Sequence, residues 1–374
     1  MDGAGRAGQS SRMNSSSRPA PSARPAETGL VPGEFAPEGA YLNTSSYGLM
    51  PRRTVEAVTT LTELSARGLR PDAGTYEAVD VARAAYGRLV GVDADRVAVG
   101  TSVASHTSVV AAALAPGSEV LLPEGEFSSL VQPFVVRPDL KVRCVPLDDL
   151  AAAVRPETAL VAWAVVQSAD GRVADDAAVR AAAAAHGART LADLSQAAGW
   201  LAVDAGAYDY TVTAAYKYLL CPRGTSFLTV SQEAQDVTPP IQAGWSAAED
   251  IWASTYGPVA ELARSARRYD TSVPFLCYQG AVESLALLES VGVEAVAAHN
   301  VGLADRLRAG LREAGHEPVA APGSGIVAVP GLGDRAAGLE RAGVRVSARA
   351  GNLRVSFHLY NTAQDVDRVL SVLG

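Results

Sequence analysis

The chain has 374 residues, 48% hydrophobic and 19% charged, enough apolar material for two domains or for one large domain with an appendage. A net charge of −8 and the absence of a basic cluster leave no surface to track a phosphate backbone, so no nucleic-acid partner is expected. Three scattered cysteines form neither a CxxC pair nor a disulfide framework, five scattered histidines lack metal-ligand spacing, and no apolar run approaches the ~18 residues of a membrane span. A reducing, cytoplasmic setting without metal or membrane is the expectation.

Met1 to about Gly29 is rich in Ser, Arg, Ala, Pro and Gly. It lacks the apolar surface needed to order itself and the apolar stretch of a secretory signal, so residues 1–30 are expected to form a disordered tail. Ala40 to Pro51 (AYLNTSSYGLMP) reads as a short strand and a turn of small polar residues. Arg52–Arg67 and Tyr76–Val90 have helical periodicity on either side of an RPDAG turn. Val97–Ser108 (VAVGTSVASHTS) is a brief strand ending at Gly100, then hydroxylated residues that open an Ala- and Val-rich helix. Unsatisfied N–H groups and the helix dipole favour an anion there, although a capped helix with no ligand reads the same way. Glu119–Pro123 is a strand, and the loop GEFSSL after it carries Phe127. Strands follow at 141–145 and 159–166 with a helix from Leu147 between them, then VVQSADG and an alanine-packed helix from Ala174 to His186. Strands 189–193 and 209–214 end at Asp193 and just before Lys217, and strand 225–230 follows through a link too short for a crossover helix.

Seven strands mostly separated by helices predict a largely parallel sheet covered on both faces, with the last strand antiparallel to its neighbour. Gln242–Gly257 is rich in Trp and Gly and reads as a loop over the pocket. Tyr278–Gly315 is helical with a break near Val291-Gly292. Strands at Gly325–Val329, Val344–Ser347 and Leu353–Phe357 and a final helix Thr362–Leu373 make a smaller unit. The expected division is a large domain over 31–275 and a small α+β domain over 276–374.

One stretch organises the chemistry. Of 32 lysine and arginine residues only Lys141 and Lys217 are lysine. Where lysine persists in such a chain, an amine that can lose its proton and attack a carbonyl is a sufficient reason, since guanidinium cannot do so. Lys141 lies in the polar-flanked KVRCVP and reads as a surface residue, whereas Lys217 closes an apolar run between Tyr216 and Tyr218. Asp193 at the end of one strand and Lys217 just past the next would face one crevice of an open α/β sheet. Pyridoxal phosphate needs that pair: an amine for its aldehyde carbon, and a carboxylate that keeps the pyridine nitrogen protonated so that the ring accepts electrons.

DLSQAAGW, DYTV, AAYKYLLCPRGT and, near the C-terminus, NLRVSFHLYNT together resemble the class V aminotransferase and cysteine desulfurase family, fold type I pyridoxal phosphate enzymes, from about Tyr41 to the end. The resemblance implies that Asp193 pairs the ring nitrogen, Gln196 bonds the ring hydroxyl and Lys217 is the Schiff-base lysine. It implies that Arg354 clamps the substrate α-carboxylate through a bidentate guanidinium pair, with help from Arg349. Thr101 and Ser102 would hold the phosphate, with Val103 where an acidic residue is usual, and Phe127 would stack on the cofactor. Thr213 would supply a hydroxyl to the phosphate; Tyr216 stands where histidine is usual and either takes a phosphate contact or packs. Ser168, commonly Asn in the family, would lie near the ring and the substrate carboxylate. Asn43, often Asp in the family, would lie with Ser45, Ser46 or Tyr47 at the mouth of the site, near a small amino-acid substrate. Thr271 or Ser272 would reach the phosphate of a partner subunit, so the resemblance implies a homodimer.

Such enzymes share removal of the Cα proton and differ in the fate of the resulting carbanion. The expectation is an aminotransferase-type reaction, with a C–S β-lyase or an epimerase as the alternative. Persulfide formation by a cysteine desulfurase is disfavoured, because RVSARAGNLRVS, the stretch before and through the Arg-x-Ser motif, contains no cysteine. Cys277 in FLCYQG and Cys221 read as structural.

Overall fold

The computed structural model describes residues 29–69 and 74–374. The expected tail therefore falls almost wholly outside the described residues, as does most of the RPDAG turn. Leu30, at the edge of that tail, is fastened: its N–H bonds Leu359 O at 2.8 Å.

The first elements are Ala40–Tyr41 (β1), Arg52–Ala66 (α1), Gly74–Leu89 (α2), Val97–Gly100 (β2), Val103–Ala112 (α3), Glu119–Pro123 (β3), Ser128–Val135 (α4) and Lys141–Val145 (β4). Thr158–Ala164 (β5), Asp176–His186 (α5), Arg189–Asp193 (β6), Tyr210–Ala214 (β7), Ser226–Val230 (β8) and Gln232–Gln235 (α6) follow. The remainder is Phe275–Val291 (α7), Val293–Glu313 (α8), Ile326–Val329 (β9), Ala336–Arg341 (α9), Val344–Arg345 (β10), Ser347–Arg349 (β11), Asn352–Ser356 (β12) and Ala363–Leu373 (α10).

Seven strands form one sheet in the order β2-β8-β7-β6-β5-β3-β4, parallel from β7 to β4. Strand β8 runs against β7, as the short link through Pro222 and Gly224 requires, and also against β2. Both faces are buried along the strands from β2 to β3, which is why most of them read as apolar runs, whereas the edge strand β4 (KVRCV) is half-buried to exposed. Alternate side chains go to opposite faces. Leu122, Leu160, Leu191, Val212 and Leu228 meet Val109, Val110, Leu130 and Phe134 of α3 and α4. Leu121, Val161, Trp163, Ala192 and Phe227 meet Tyr86 of α2, Val179 of α5 and Leu285 of α7. Each fully buried Leu, Val or Phe contributes about 1.5–3 kcal/mol of transfer free energy, so this double layer is the rigid base on which the crevice stands.

Two local expectations change. The helix expected from Leu147 is a single 3-10 turn, Leu147–Asp149. Pro156 restricts the residue before it and β5 begins at Thr158, so too little chain remains for a helix to propagate. The strand expected over Val344–Ser347 divides: β10 pairs in parallel with β1, whereas β11 pairs with β12. Its two halves therefore serve two different sheets. Helix α7 packs on α1 and α2 and buries Tyr278, Ala281 and Leu285 in the core of the large sheet. Gly280 permits that approach, since a Cβ there would meet Pro222 Cγ at 2.6 Å and Val58 Cγ2 at 2.8 Å.

The second core gathers Leu303, Leu307 and Leu311 of α8, Val327 and Val329 of β9, Leu353 and Val355 of β12, and Val366 and Val369 of α10. A capping box between Thr362 and Asp365 starts α10. The N-terminal segment is built into this unit as well. Beyond the β1–β10 pairing, Asn43 bridges Ser356, and the chain then crosses to the large sheet, where Gly48 N–H bonds Tyr216 O at 2.9 Å.

Candidate active site

Strands β6 and β7 are parallel neighbours, so Asp193 and the residues after Ala214 emerge at the same carboxyl-terminal edge of the sheet. The chain turns there, with Leu220 in the left-handed region at φ 58° and its N–H on Lys217 O at 3.2 Å. Lys217 is 6% exposed, and its amine faces a cavity of about 170 Å³. Asp193, Ser195, Thr101, Ser102, Phe127 and Tyr216 are among the lining residues. The Phe127 ring centroid lies 5.1 Å from Lys217 Nζ. Burial pulls the Lys217 amine down to about 8; Asp193 opposes the shift, and the Arg354 and Arg349 cations reinforce it. Burial pushes the Asp193 carboxyl up, countered by the Lys217 charge and by the Ser195 N–H, which donates to Oδ1 at 2.8 Å.

At one end of the cavity helix α3 begins. Ser102 is its N-cap, accepting from Ser105 N–H at 3.2 Å. The cap satisfies one of the opening N–H groups and leaves those of Val103 and Ala104 pointing out of the first turn. Gly100 brings the backbone close: a Cβ there would stand 2.6 Å from the His106 ring. Tyr216 is stacked on Tyr47 at 5.9 Å, with the Arg223 guanidinium 5.1 Å from the Tyr216 ring centroid, and Arg223 itself lines the cavity.

On the side facing the smaller unit, Arg354 of β12 is 1% exposed. Its Nε donates to Ser347 Oγ at 3.1 Å, Nη1 to Ser168 O and to Ser168 Oγ at 3.1 Å, and Nη2 to Ser46 Oγ at 2.8 Å. No acidic side chain among the described residues is within ion-pair distance. Burial, with the neighbouring Arg349 charge, pulls the guanidinium down to about 10. Arg349 donates to the same Ser46 Oγ at 3.1 Å. Gln196 Nε2 donates to Ser168 Oγ at 3.2 Å and Ser45 O at 3.0 Å, whereas its buried Oε1 has no partner. Asn43 Oδ1 is likewise buried without a partner, and Asn43 O accepts from Ser46 and Tyr47 N–H.

The structure thus brings together Thr101, Ser102, Phe127, Asp193, Tyr216 and Lys217 around the cavity, and joins Gln196, Ser168, Arg354 and Arg349 through shared serine hydroxyls. Thr213 is a correction. It lies on the opposite face of the sheet from Ala214 and the cavity, 1% exposed, with its hydroxyl 2.6 Å from Tyr86 OH. Side chains alternate along a strand, so nearness to Lys217 in sequence does not carry Thr213 into the site. Ser272 is exposed and outside this cavity, on the segment that Asp270 anchors through a buried ion pair with Arg83 at 2.6 Å. Sequence reasoning missed Arg223, Ser129, Ser195 and Glu126. Glu126 Oε1 accepts from Ala164 N–H at 2.7 Å and Gln167 Nε2 at 2.6 Å, and Oε2 from Phe127 N–H at 3.2 Å, so it fixes the loop that presents the Phe127 ring. Burial pushes its carboxyl up to about 7. The residue preceding a ring already suspected of stacking was the one available signal.

Residues 67–369 match the family model for class V aminotransferases, and the chain belongs to that family. An uncharacterised aminotransferase of Bacillus subtilis (strain 168), YcbU, is 26% identical over 315 residues, covering 80% of this chain and 84% of the relative. Isopenicillin N epimerase of Streptomyces clavuligerus is 28% identical over 381 residues, covering 89% and 93%. Among solved structures, a cystine C–S lyase in complex with its product cysteine persulfide superposes with a TM-score of 0.81 at 22% identity, covering 90% of this chain and 97% of that one. The shared architecture is that of fold type I pyridoxal phosphate enzymes.

Pyridoxal 5′-phosphate is the family's cofactor, and the residues present fit it. A buried amine drawn towards its neutral form faces a cavity with one carboxylate at its floor and an aromatic ring at its wall. The open N–H groups of α3 and the Arg223 guanidinium suit a phosphate, and the unpartnered Gln196 Oε1 suits a ring hydroxyl.

Proposed function

We propose that this chain is a pyridoxal phosphate-dependent enzyme acting at the α-carbon of a small amino acid, with transamination as its reaction. The observation that carries the reading is the buried Lys217 amine, held at about 8, facing a cavity with Asp193. When bound, the cofactor supplies an aldehyde to hold the substrate amine and a ring that takes up the electrons of a Cα carbanion. Lys217 Nζ takes the Cα proton, and a lowered amine supplies the neutral base near working pH. Asp193 holds a proton at the ring nitrogen. Phe127 would cover the ring, Gln196 and Ser168 would orient it, and Thr101, Ser102 and Tyr216 would hold the phosphate. Arg354 draws in the α-carboxylate and fixes which Cα bond points at Lys217, with Asn43 and Ser46 lining the approach. A homodimer in which Ser272 reaches the partner's phosphate fits the exposure of that residue, and a cytoplasmic setting fits three free cysteines.

Epimerisation is the second reading, supported by the likeness to isopenicillin N epimerase over 89% of the chain. Persulfide chemistry has no support from the thiols. Cys221 is buried with its Sγ on Leu219 O, Cys277 donates to Arg223 O at 3.1 Å, and burial pushes both thiols up. Incubation of the holoenzyme with amino acids in deuterated water separates the readings. Transamination releases a 2-oxo acid while the protein retains the amino group. Epimerisation gives the inverted amino acid carrying deuterium at Cα and no 2-oxo acid. Pyruvate with a released thiol would refute both. Failure of borohydride to fix a phosphopyridoxyl group on Lys217 would remove the common basis.

A further inference from the structure

Charge at the substrate side of the site does not balance for an ordinary amino acid. With the site assigned in this way, the cofactor phosphate answers the α3 terminus and Arg223, Asp193 answers the ring, and one α-carboxylate answers Arg354. Arg349 remains. Its Nη2 and that of Arg354 both donate to Ser46 Oγ, at 3.1 and 2.8 Å, so the two cations converge on a single hydroxyl. Neither has an acid within ion-pair distance among the described residues, and Arg349 acts on both Arg354 and Lys217 at a distance that depresses their proton affinity. Two like charges converging on one hydroxyl make a place to which an anion is drawn.

Arg349 is also held in place rather than left to wander. It ends β11 opposite Asn352 of β12, and the two residues between them, Ala350 and Gly351, have φ of 48° and 79°. Positive φ at both central positions is the condition for a two-residue type I′ hairpin, the tightest link between antiparallel strands. Alanine tolerates the left-handed region poorly, yet the turn is kept, and it sets the guanidinium at the outer side of Ser46. Arg354 is buried on the inner side and Arg349 is exposed on the outer, so the pair suits an anion at the α-carbon and another further out.

We propose that the substrate carries a second anionic group on its side chain, as a dicarboxylic amino acid does, and that Arg349 receives it. The proposal rests on the assignment of Arg354 to the α-carboxylate. It is tested by calorimetric titration of the holoenzyme at low ionic strength with glutarate and with butyrate, for the wild type, Arg349→Gln, Arg349→Lys and Arg354→Gln. The wild type should bind glutarate about tenfold more tightly than butyrate. Arg349→Gln should abolish that preference, Arg349→Lys should keep part of it, and Arg354→Gln should weaken both ligands. Equal loss of both ligands in Arg349→Gln would overturn the proposal, making Arg349 a second hand on the same carboxylate; so would a wild type with no preference. Borohydride trapping at Lys217 is run on each sample. A chain that traps cofactor but shows no preference refutes only this inference, whereas a chain that traps none refutes the functional reading beneath it.

Discussion

Replacing Lys217 with Met should make the cofactor-free chain more stable while removing its chemistry. Met keeps most of the side chain's length and apolar volume and removes the ammonium, together with its 5.1 Å approach to the Phe127 ring centroid. Lysine in the unfolded chain titrates near 10.5, and in the folded chain burial brings Lys217 down to about 8. At ~1.4 kcal/mol per unit, the folded state carries a penalty of about 3 kcal/mol for holding that charge. The penalty is present in full below about pH 8, where both states are protonated, and fades as pH rises from there towards 10.5, where both are neutral. Part of the gain is returned, because Asp193 loses the cation that opposes its upward shift. The variant should therefore gain about 1–3 kcal/mol near pH 7, with the difference shrinking towards zero by about pH 10.5. Urea unfolding of the two cofactor-free proteins at several pH values measures it. A variant less stable than the wild type near pH 7, or a difference indifferent to pH, would refute the account of a desolvated, strained amine.

Gly48→Ala places a Cβ 2.1 Å from Lys217 O and 2.7 Å from Leu220 Cδ2, so the lysine turn must shift. Urea unfolding should show a loss of about 3 kcal/mol, and borohydride trapping at Lys217 should slow. Arg83→Met strands the Asp270 carboxylate, which is buried and bonded to Val99 N–H at 2.9 Å. Thermal and urea unfolding should register a loss of about 3–5 kcal/mol, of which the double change with Asp270→Asn recovers part. Phe127→Ala removes the stacking wall and should weaken cofactor retention about three- to tenfold in equilibrium dialysis, with little change in unfolding because the ring is half exposed.

The sheet was legible because buried parallel strands announce themselves as apolar runs, and the short Pro222–Gly224 link could accommodate only an antiparallel neighbour. Lys217 and Asp193 were legible for a chemical reason: one lysine sits among apolar residues in a chain that, Lys141 apart, uses arginine for its cations, and one acid ends a buried strand. Thr213 misled because proximity along a strand says nothing about face; a shift of one residue separates the cavity from the Tyr86 side. The clasp around Arg354 was half hidden. The guanidinium itself belonged to a recognisable motif, but Ser46, Ser168 and Ser347 come from three distant stretches, and no spacing encodes their meeting. The split of Val344–Ser347 between two sheets depended on β1, a partner some 300 residues away, which local alternation cannot reveal.

The Arg354 side chain works as a rivet through three layers of chain. A ligand that claims its Nη2 would compete with Ser46 Oγ alone, since Ser168 and Ser347 hold the other nitrogens, and Arg349 Nη2 still donates to that hydroxyl at 3.1 Å. The segment that carries Ser46 stays in place, since Ser45 N–H remains on Ser356 Oγ at 3.0 Å and Gly48 N–H on Tyr216 O, beside Lys217, at 2.9 Å. One short run of chain, Ser46 to Gly48, thus touches Arg354 of the smaller unit at one end and the backbone next to the Lys217 amine at the other.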